Sequence, residues 1–175
     1  MRSPTRTPPK SSIGSRPMAD PPAVRRLVAA DLRAYKALRD RMLEAYPEAF
    51  TSDAGTERGR RADDYLPRLG LDRPEGGHLL LGAWDEAGLV GAIGVERDRR
   101  DKVRHIGHVI GMMVKPEAQG RGVGRALLEA ALRETRVAGL EVLTLSVTEG
   151  NEAALRLYER AGFERSPRYV LTRKL

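Results

Sequence analysis

The chain has 175 residues, enough for one domain with a buried core and too few for two of ordinary size. Hydrophobic residues make up 41% and charged residues 31%, and no apolar run approaches the roughly 18 residues that span a bilayer, so a globular protein without a membrane partner is expected. There is no cysteine, which excludes disulfides, thiolate metal sites and a cysteine nucleophile, and His78, His105 and His108 lack metal-ligand spacing.

The net charge of +7 is unevenly spread: Arg2, Arg6, Lys10 and Arg16 stand in a stretch without acids, leaving a modest +3 for the remainder. Residues 1–22, rich in Pro, Ser, Arg and Thr, are expected to form a disordered basic tail, with residues 23–175 as the single folded domain. The tail lacks the apolar stretch of a secretory signal, and Met18 offers an alternative start; nothing argues for export, so a cytoplasmic protein is expected.

Val24–Val28 predicts a short strand. Asp31 then offers an N-cap for a helix whose Leu32, Tyr35, Leu38, Met42 and Ala45 line one face, closed by Pro47. A weaker helix is predicted from about Thr56 to Leu69. His78–Trp84 and Leu89–Glu96, separated by Asp85-Glu86-Ala87-Gly88, read as a hairpin. Val103–Val114 is a third strand, in which Gly107, Gly111 and the adjacent Met112 and Met113 disturb the alternation and predict a bulge. Val123, Leu127, Ala130, Ala131 and Leu132 mark a helix ending near Gly139, and Glu141–Val147 reads as a buried, central strand. Asn151 caps a last helix carrying Ala154, Leu155, Tyr158 and Ala161 on one side, Gly162 stops it, and Tyr169–Arg173 closes the domain as a strand. This order predicts a mixed α/β fold: one domain with a central mixed, largely antiparallel sheet and helices on both faces.

The chemistry-bearing feature is Gln119-Gly120-Arg121-Gly122-Val123-Gly124, between a predicted strand and a predicted helix. Glycines let the backbone turn tightly and approach a ligand, and the first amides of the following helix lack internal partners and favour negative charge. Together they make a phosphate cradle, with Arg121 and Arg125 close by. A Walker loop is ruled out because no Lys-Ser/Thr follows, and a dinucleotide fingerprint fails at Arg125, where a third glycine belongs. The pattern Q/R-x-x-G-x-G/A is met by Gln119, Gly122 and Gly124.

In its context this turn resembles a known motif. Residues 109–128, from Val109 through Gly124 to Leu128, look like the acyl-CoA motif of the GNAT superfamily of N-acetyltransferases. Downstream, Asn151-Glu-Ala-Ala-Leu-Arg-Leu-Tyr158-Glu-Arg-Ala-Gly162-Phe163 is similar to that superfamily's N-x-x-A-x-x-L-Y-x-x-x-G-F segment. The two cover residues 108–164, the helix around Asp31 to Phe50 fits less distinctively, and residues 1–22 lie outside.

The resemblance implies transfer of an acetyl group from acetyl-CoA to a primary amine, through direct attack with both substrates bound and no metal. It implies pyrophosphate bonds from the backbone of Gln119, Gly120, Arg121, Gly122, Val123 and Gly124. The pantetheine arm would add alongside the main chain of Met112, Met113 and Val114. Tyr158 matches the tyrosine that acts as general acid toward the departing thiolate; a phenol of ordinary pKa about 10 is protonated at neutral pH. Asn151 has two claims, as helix cap and as a pantetheine contact. The base is less distinct: counting six residues back from Val114, where some members carry glutamate, reaches His108, whose neutral imidazole can accept a proton near pH 7. Glu96 and an ordered water are the alternatives.

Two other functions fit parts of the chain. A non-catalytic acyl-CoA-binding domain would share the fold. A nucleic-acid-binding protein would use the basic tail, but no aromatic residues interleave its charges and no recognition module is present, so nucleic acid is not an expected partner. The acceptor amine is not readable. Phe163–Leu175 is shorter than the two strands many members add there, which either opens the acceptor site or leaves a strand to be supplied by a second subunit of a homodimer.

Overall fold

Chain reversal at Glu86-Ala87 brings the two long apolar runs together as β2 (His78–Asp85) and β3 (Gly88–Arg97), antiparallel from His78↔Glu96 to Asp85↔Gly88. The computed structural model describes residues 22–50, 52–70 and 77–165. β1 (Ala23–Arg26) adds antiparallel to β2, and β4 (Ile106–Val114) adds antiparallel to β3. β5 (Val142–Thr144) pairs parallel with β4, giving the order β1-β2-β3-β4-β5. The expected mixed, largely antiparallel sheet is therefore present.

Alternation along β2 and β3 divides the apolar side chains between two cores. On one face, Leu79, Leu81, Val90, Ile93 and Val95 pack with Val123, Leu127, Leu128 and Ala131 of α3 (Val123–Val137). On the other, Leu80, Leu89, Ala92 and Met113 pack with Leu32, Tyr35, Leu38 and Met42 of α1 (Leu32–Ala45). Full burial of one such leucine is worth about 1.5–3 kcal/mol, so both helices are held by their apolar stripes more than by propensity.

Several expected boundaries move. The first strand ends at Arg26, and a 3₁₀ turn over Ala29–Asp31 precedes α1. Asp31 does not cap α1 through its side chain; its carboxylate accepts from the Val28 amide at 2.9 Å and pairs with Arg25 at 2.6 Å, closing the turn instead. The predicted helix from Thr56 to Leu69 is two pieces, α2 (Ala54–Arg58), capped by Asp53, and a 3₁₀ segment over Ala62–Arg68 containing Pro67. A run of Arg58, Gly59, Arg60 and Arg61 supplies no apolar face to hold those turns on one axis.

β4 begins at Ile106, after a 3₁₀ turn at Asp101–Val103, rather than at Val103. The strand expected over Glu141–Val147 pairs only as Val142–Thr144 and stands at the end of the described sheet, not at its centre; Val142 is exposed. α4 (Glu152–Arg160) follows, with the Asn151 side chain accepting from the Ala154 amide at 3.2 Å as the cap expected there. The predicted strand Tyr169–Arg173 and the tail to residue 21 lie outside the described residues.

Candidate active site

The bulge in β4 sets the geometry. Ala92 pairs with Met113 and Gly94 with Ile110, so Gly111 and Met112 together oppose Ile93. Gly111 takes φ 57, a left-handed value that glycine adopts without a Cβ penalty. Met113, just beyond, is buried on the α1 side, while Met112 and Val114 pack toward α3.

β4 and β5 pair only from Ile106↔Val142 to His108↔Thr144, after which they diverge. The edge of β4 from Val109 to Val114 thus has no strand partner among the described residues, and its main-chain groups can receive an extended ligand as an added strand. A cavity of about 150 Å³ lies in this wedge, lined by Val109–Met112, Leu145–Thr148, Phe50 and, from α4, Leu157 and Tyr158. Thr148 ties the far wall to the segment after α1 by donating to the Glu48 carbonyl at 3.1 Å.

β4 runs into the glycine turn at the other end of this edge. Gln119 anchors it, its side-chain amide donating to the Val114 carbonyl at 3.1 Å. Gly120 and Gly122 have φ of 72° and 79°, and a Cβ on either would meet nothing within 4 Å, so the inner surface of the turn is open. Gly122 is the N-cap of α3 and no side chain caps it; the first helical bond is the Ala126 amide to the Gly122 carbonyl. The amides of Val123, Gly124 and Arg125 are thereby free of intrahelical acceptors, the arrangement that holds a phosphate. Gly124 also seats the helix against the wedge, since a Cβ there would stand 3.3 Å from Leu157 and 3.4 Å from Met112. The two expected arginines are partly neutralised: Arg121 lies 3.4 Å from Asp85 and Arg125 pairs with Glu129 at 2.7 Å.

Tyr158 enters the wedge from α4 and is 7% exposed, with its ring edge-on to Phe163 at a centroid distance of 5.8 Å. Burial pushes its phenol up to about 12, so it is a proton donor across the neutral range. Asn151 also lines the cavity, which leaves both of its expected uses geometrically open.

His108 is separate from this group. It is not among the cavity-lining residues, and three residues of extended strand put it about 10 Å from Gly111. Its Nδ1 is hydrogen-bonded to the Thr144 hydroxyl and its Nε2 lies 3.7 Å from Asp98. Asp98 is held well below the usual carboxylate range, chiefly by hydrogen bonds from Arg100, and remains ionised beside the imidazole. His78, Glu96, His108 and Thr144 stand opposite one another across β2, β3, β4 and β5, with His78 Nε2 2.9 Å from Glu96. The two sequence candidates for the base are thus cross-strand neighbours.

One cluster beside the site had no motif to announce it. Arg39, 3% exposed, donates from Nε to Glu57 at 2.7 Å and from Nη2 to Ser52 at 2.8 Å, and Tyr65 donates to the same carboxylate at 2.6 Å. It approaches the bulge: a Cβ on Gly111 would stand 3.5 Å from Arg39 Nη1. The available signal was a charged residue on the apolar stripe of α1, since Leu32, Tyr35, Arg39 and Met42 follow helical spacing.

Among the described residues no helix is long and apolar enough to cross a membrane. The sequence pattern described as the acetyltransferase (GNAT) family matches residues 35–163. Curated relatives include the mycothiol acetyltransferase of Rhodococcus jostii (strain RHA1), 33% identical over 162 residues and covering 86% of this chain but 51% of that one. That of Geodermatophilus obscurus is 34% identical over 136 residues, 77% of this chain and 42% of its own. The chain thus spans about half the length of these relatives or less. Among solved structures, a ribosomal-protein-alanine N-acetyltransferase from Brucella melitensis superposes with a TM-score of 0.65 at 25% identity, covering 81% of this chain and 84% of that one. A Salmonella typhimurium protein solved with its cofactor acetyl-CoA gives 0.67 at 24% identity, over 81% and 79% of the two chains, a likeness of fold. With the family pattern covering both the bulged strand and the Tyr158 helix, this chain belongs to the acetyltransferase (GNAT) family.

Proposed function

We propose that the chain is an acetyl-CoA-dependent N-acetyltransferase acting on a small-molecule primary amine in the cytoplasm. The carrying observation is the alignment of the open cradle at Gly120–Gly124, the β4 edge that has no strand partner among the described residues, and a wedge walled by the protonated Tyr158. The residues fit acetyl-CoA. Uncapped amides at the start of α3 suit the pyrophosphate, the β4 edge at Met112, Met113 and Val114 suits the amides of the pantetheine arm, and the wedge suits the thioester.

In this reading the amine attacks the thioester carbon directly. Tyr158 gives its proton to the departing sulfur. His108, 3.7 Å from Asp98, accepts the ammonium proton through bound water, because about 10 Å of strand separates it from the bulge. A small-molecule acceptor is supported by the names of the curated relatives, mycothiol acetyltransferases matched over 35% and 51% of their own length.

The test is a broad amine panel, assayed with acetyl-CoA by thiol release and by mass increase of the amine. Acetylated products are expected. Tight CoA binding with no turnover on any amine would replace this reading with a binding domain on the same fold.

A further inference from the structure

Arg39 is a buried cation with one hand free. Nε and Nη2 are used by Glu57 and Ser52, but Nη1 makes no hydrogen bond among the described residues and lies against the Gly111 bulge. Its surroundings do not neutralise it fully. Glu57 is the one carboxylate in the group and is shared with Arg60 at 3.1 Å, while Arg68 lies over the Tyr65 ring at 5.1 Å and reaches the Tyr35 hydroxyl at 3.4 Å. Two guanidiniums therefore share the Glu57 carboxylate, and a third lies on the adjacent Tyr65 ring. An ion pair that only fastened α2 to α1 would need Nε and Nη2 alone; Nη1 is not among the buried polar atoms that lack a partner, so it opens to solvent beside the bulge. A guanidinium anchored through two of its nitrogens, with the third open at the site, is placed to meet a ligand oxygen.

We propose that Arg39 Nη1 binds a carboxylate or carbonyl oxygen of the acceptor, on the carbon adjacent to its amine. This rests on the function proposed above and names its substrate class: amines of the α-amino acyl type rather than simple alkylamines. Reach sets the class. An attacking amine stands about 3–3.5 Å from the thioester carbon at the bulge. Arg39 meets the bulge from the α1 side, opposite the wedge wall formed by α4. An oxygen about 3 Å from Nη1 is then separated from the amine by little more than one carbon. The guanidinium fork also holds that oxygen in a fixed direction, which a lysine ammonium does not.

The experiment compares L-alanine, L-alaninamide and isopropylamine as acceptors at saturating acetyl-CoA, for the wild-type chain and Arg39→Lys, which keeps a charge for Glu57 but lacks the second N–H arm. The wild type should favour the two oxygen-bearing amines by at least about tenfold in kcat/KM. Arg39→Lys should erase most of that preference, changing the isopropylamine rate and the KM for acetyl-CoA less than about threefold. A wild type without preference overturns the proposal, as does an equal loss on all three amines, which would assign Nη1 to the thioester oxygen or to the fold. Ser52→Ala, which loosens the Nη2 anchor without removing the charge, decides the matter if Arg39→Lys does not fold: it must lower the preference in the same direction. Silence of the wild type across the broad amine panel removes the proposed activity itself, whereas turnover of all three amines at comparable kcat/KM removes only this assignment.

Discussion

Tyr158→Phe separates a proton donor from a packing residue. The ring is 7% exposed and rests edge-on against Phe163 at 5.8 Å; phenylalanine fills the same volume and keeps that contact. Burial is the one cause of its raised pKa, and among the described residues no hydrogen-bond partner is left stranded by removing the hydroxyl. Folding stability at pH 7 should therefore change by less than about 1 kcal/mol. If the phenol protonates the leaving sulfur, kcat should fall by about 10²–10⁴-fold, or roughly 2.7–5.5 kcal/mol of barrier, while CoA affinity shifts by less than about threefold. The raised value adds a second readout of opposite character. A phenol at about 12 in the folded chain and about 10 unfolded favours folding relative to the ionised form. That advantage is complete below pH 10 and is lost as pH rises through 12, an alkaline loss of about 2–3 kcal/mol that the phenylalanine variant lacks. Stopped-time thiol release, calorimetric CoA titration and urea unfolding from pH 8 to 12 measure the three quantities. A variant retaining kcat within twofold would refute the acid role, even if the alkaline difference appeared as expected.

Other perturbations probe the remaining parts. Gly120→Asp puts a negative charge in the cradle at a φ that aspartate tolerates and where a Cβ meets no neighbour; calorimetry should show CoA affinity reduced at least about tenfold with melting little changed, and unchanged affinity would remove the turn from the donor site. His108→Gln should abolish the acidic limb of the kcat/KM profile while leaving CoA affinity intact; a profile keeping that limb eliminates His108 as base. Glu57→Ala leaves Arg39 buried without its counter-charge and should cost about 3–5 kcal/mol in urea unfolding; a loss under 1 kcal/mol would show that water replaces the carboxylate.

The donor half was legible because its determinants are local. Gly120, Gly122 and Gly124 announce a backbone that must bend and admit a ligand, and Val123, Leu127 and Ala131 announce the helix that follows, all within a dozen residues. Asn151 and Tyr158 are likewise set by one short helix. The bulge at Gly111 was readable from broken alternation. The end of β5 was not. Leu145, Ser146 and Val147 have the same β-forming character as Val142–Thr144, and nothing in their chemistry says that β4 will leave them. Yet that divergence opens the cavity; the apolar run that looked like a central strand is one wall of the wedge.

The acceptor half depends on pairings no short window contains. Arg39 meets Glu57 across 18 residues and meets Gly111 across the sheet, through a 3₁₀ segment that carries Tyr65 and a short α2 that carries Glu57. On α1, Arg39 interrupts an apolar stripe, a substitution that costs stability unless the charge is used. A leucine at position 39 would have sealed α1 onto the sheet with no need of Glu57, Ser52 or a hydroxyl on Tyr65. Glu57 and Ser52 are instead assembled to hold a guanidinium beside the bulge, with Tyr65 donating to the same carboxylate and Nη1 left over among the described residues. That arrangement makes sense for a side chain held ready for a ligand oxygen, and the comparison of L-alaninamide with isopropylamine asks whether the oxygen is the acceptor's.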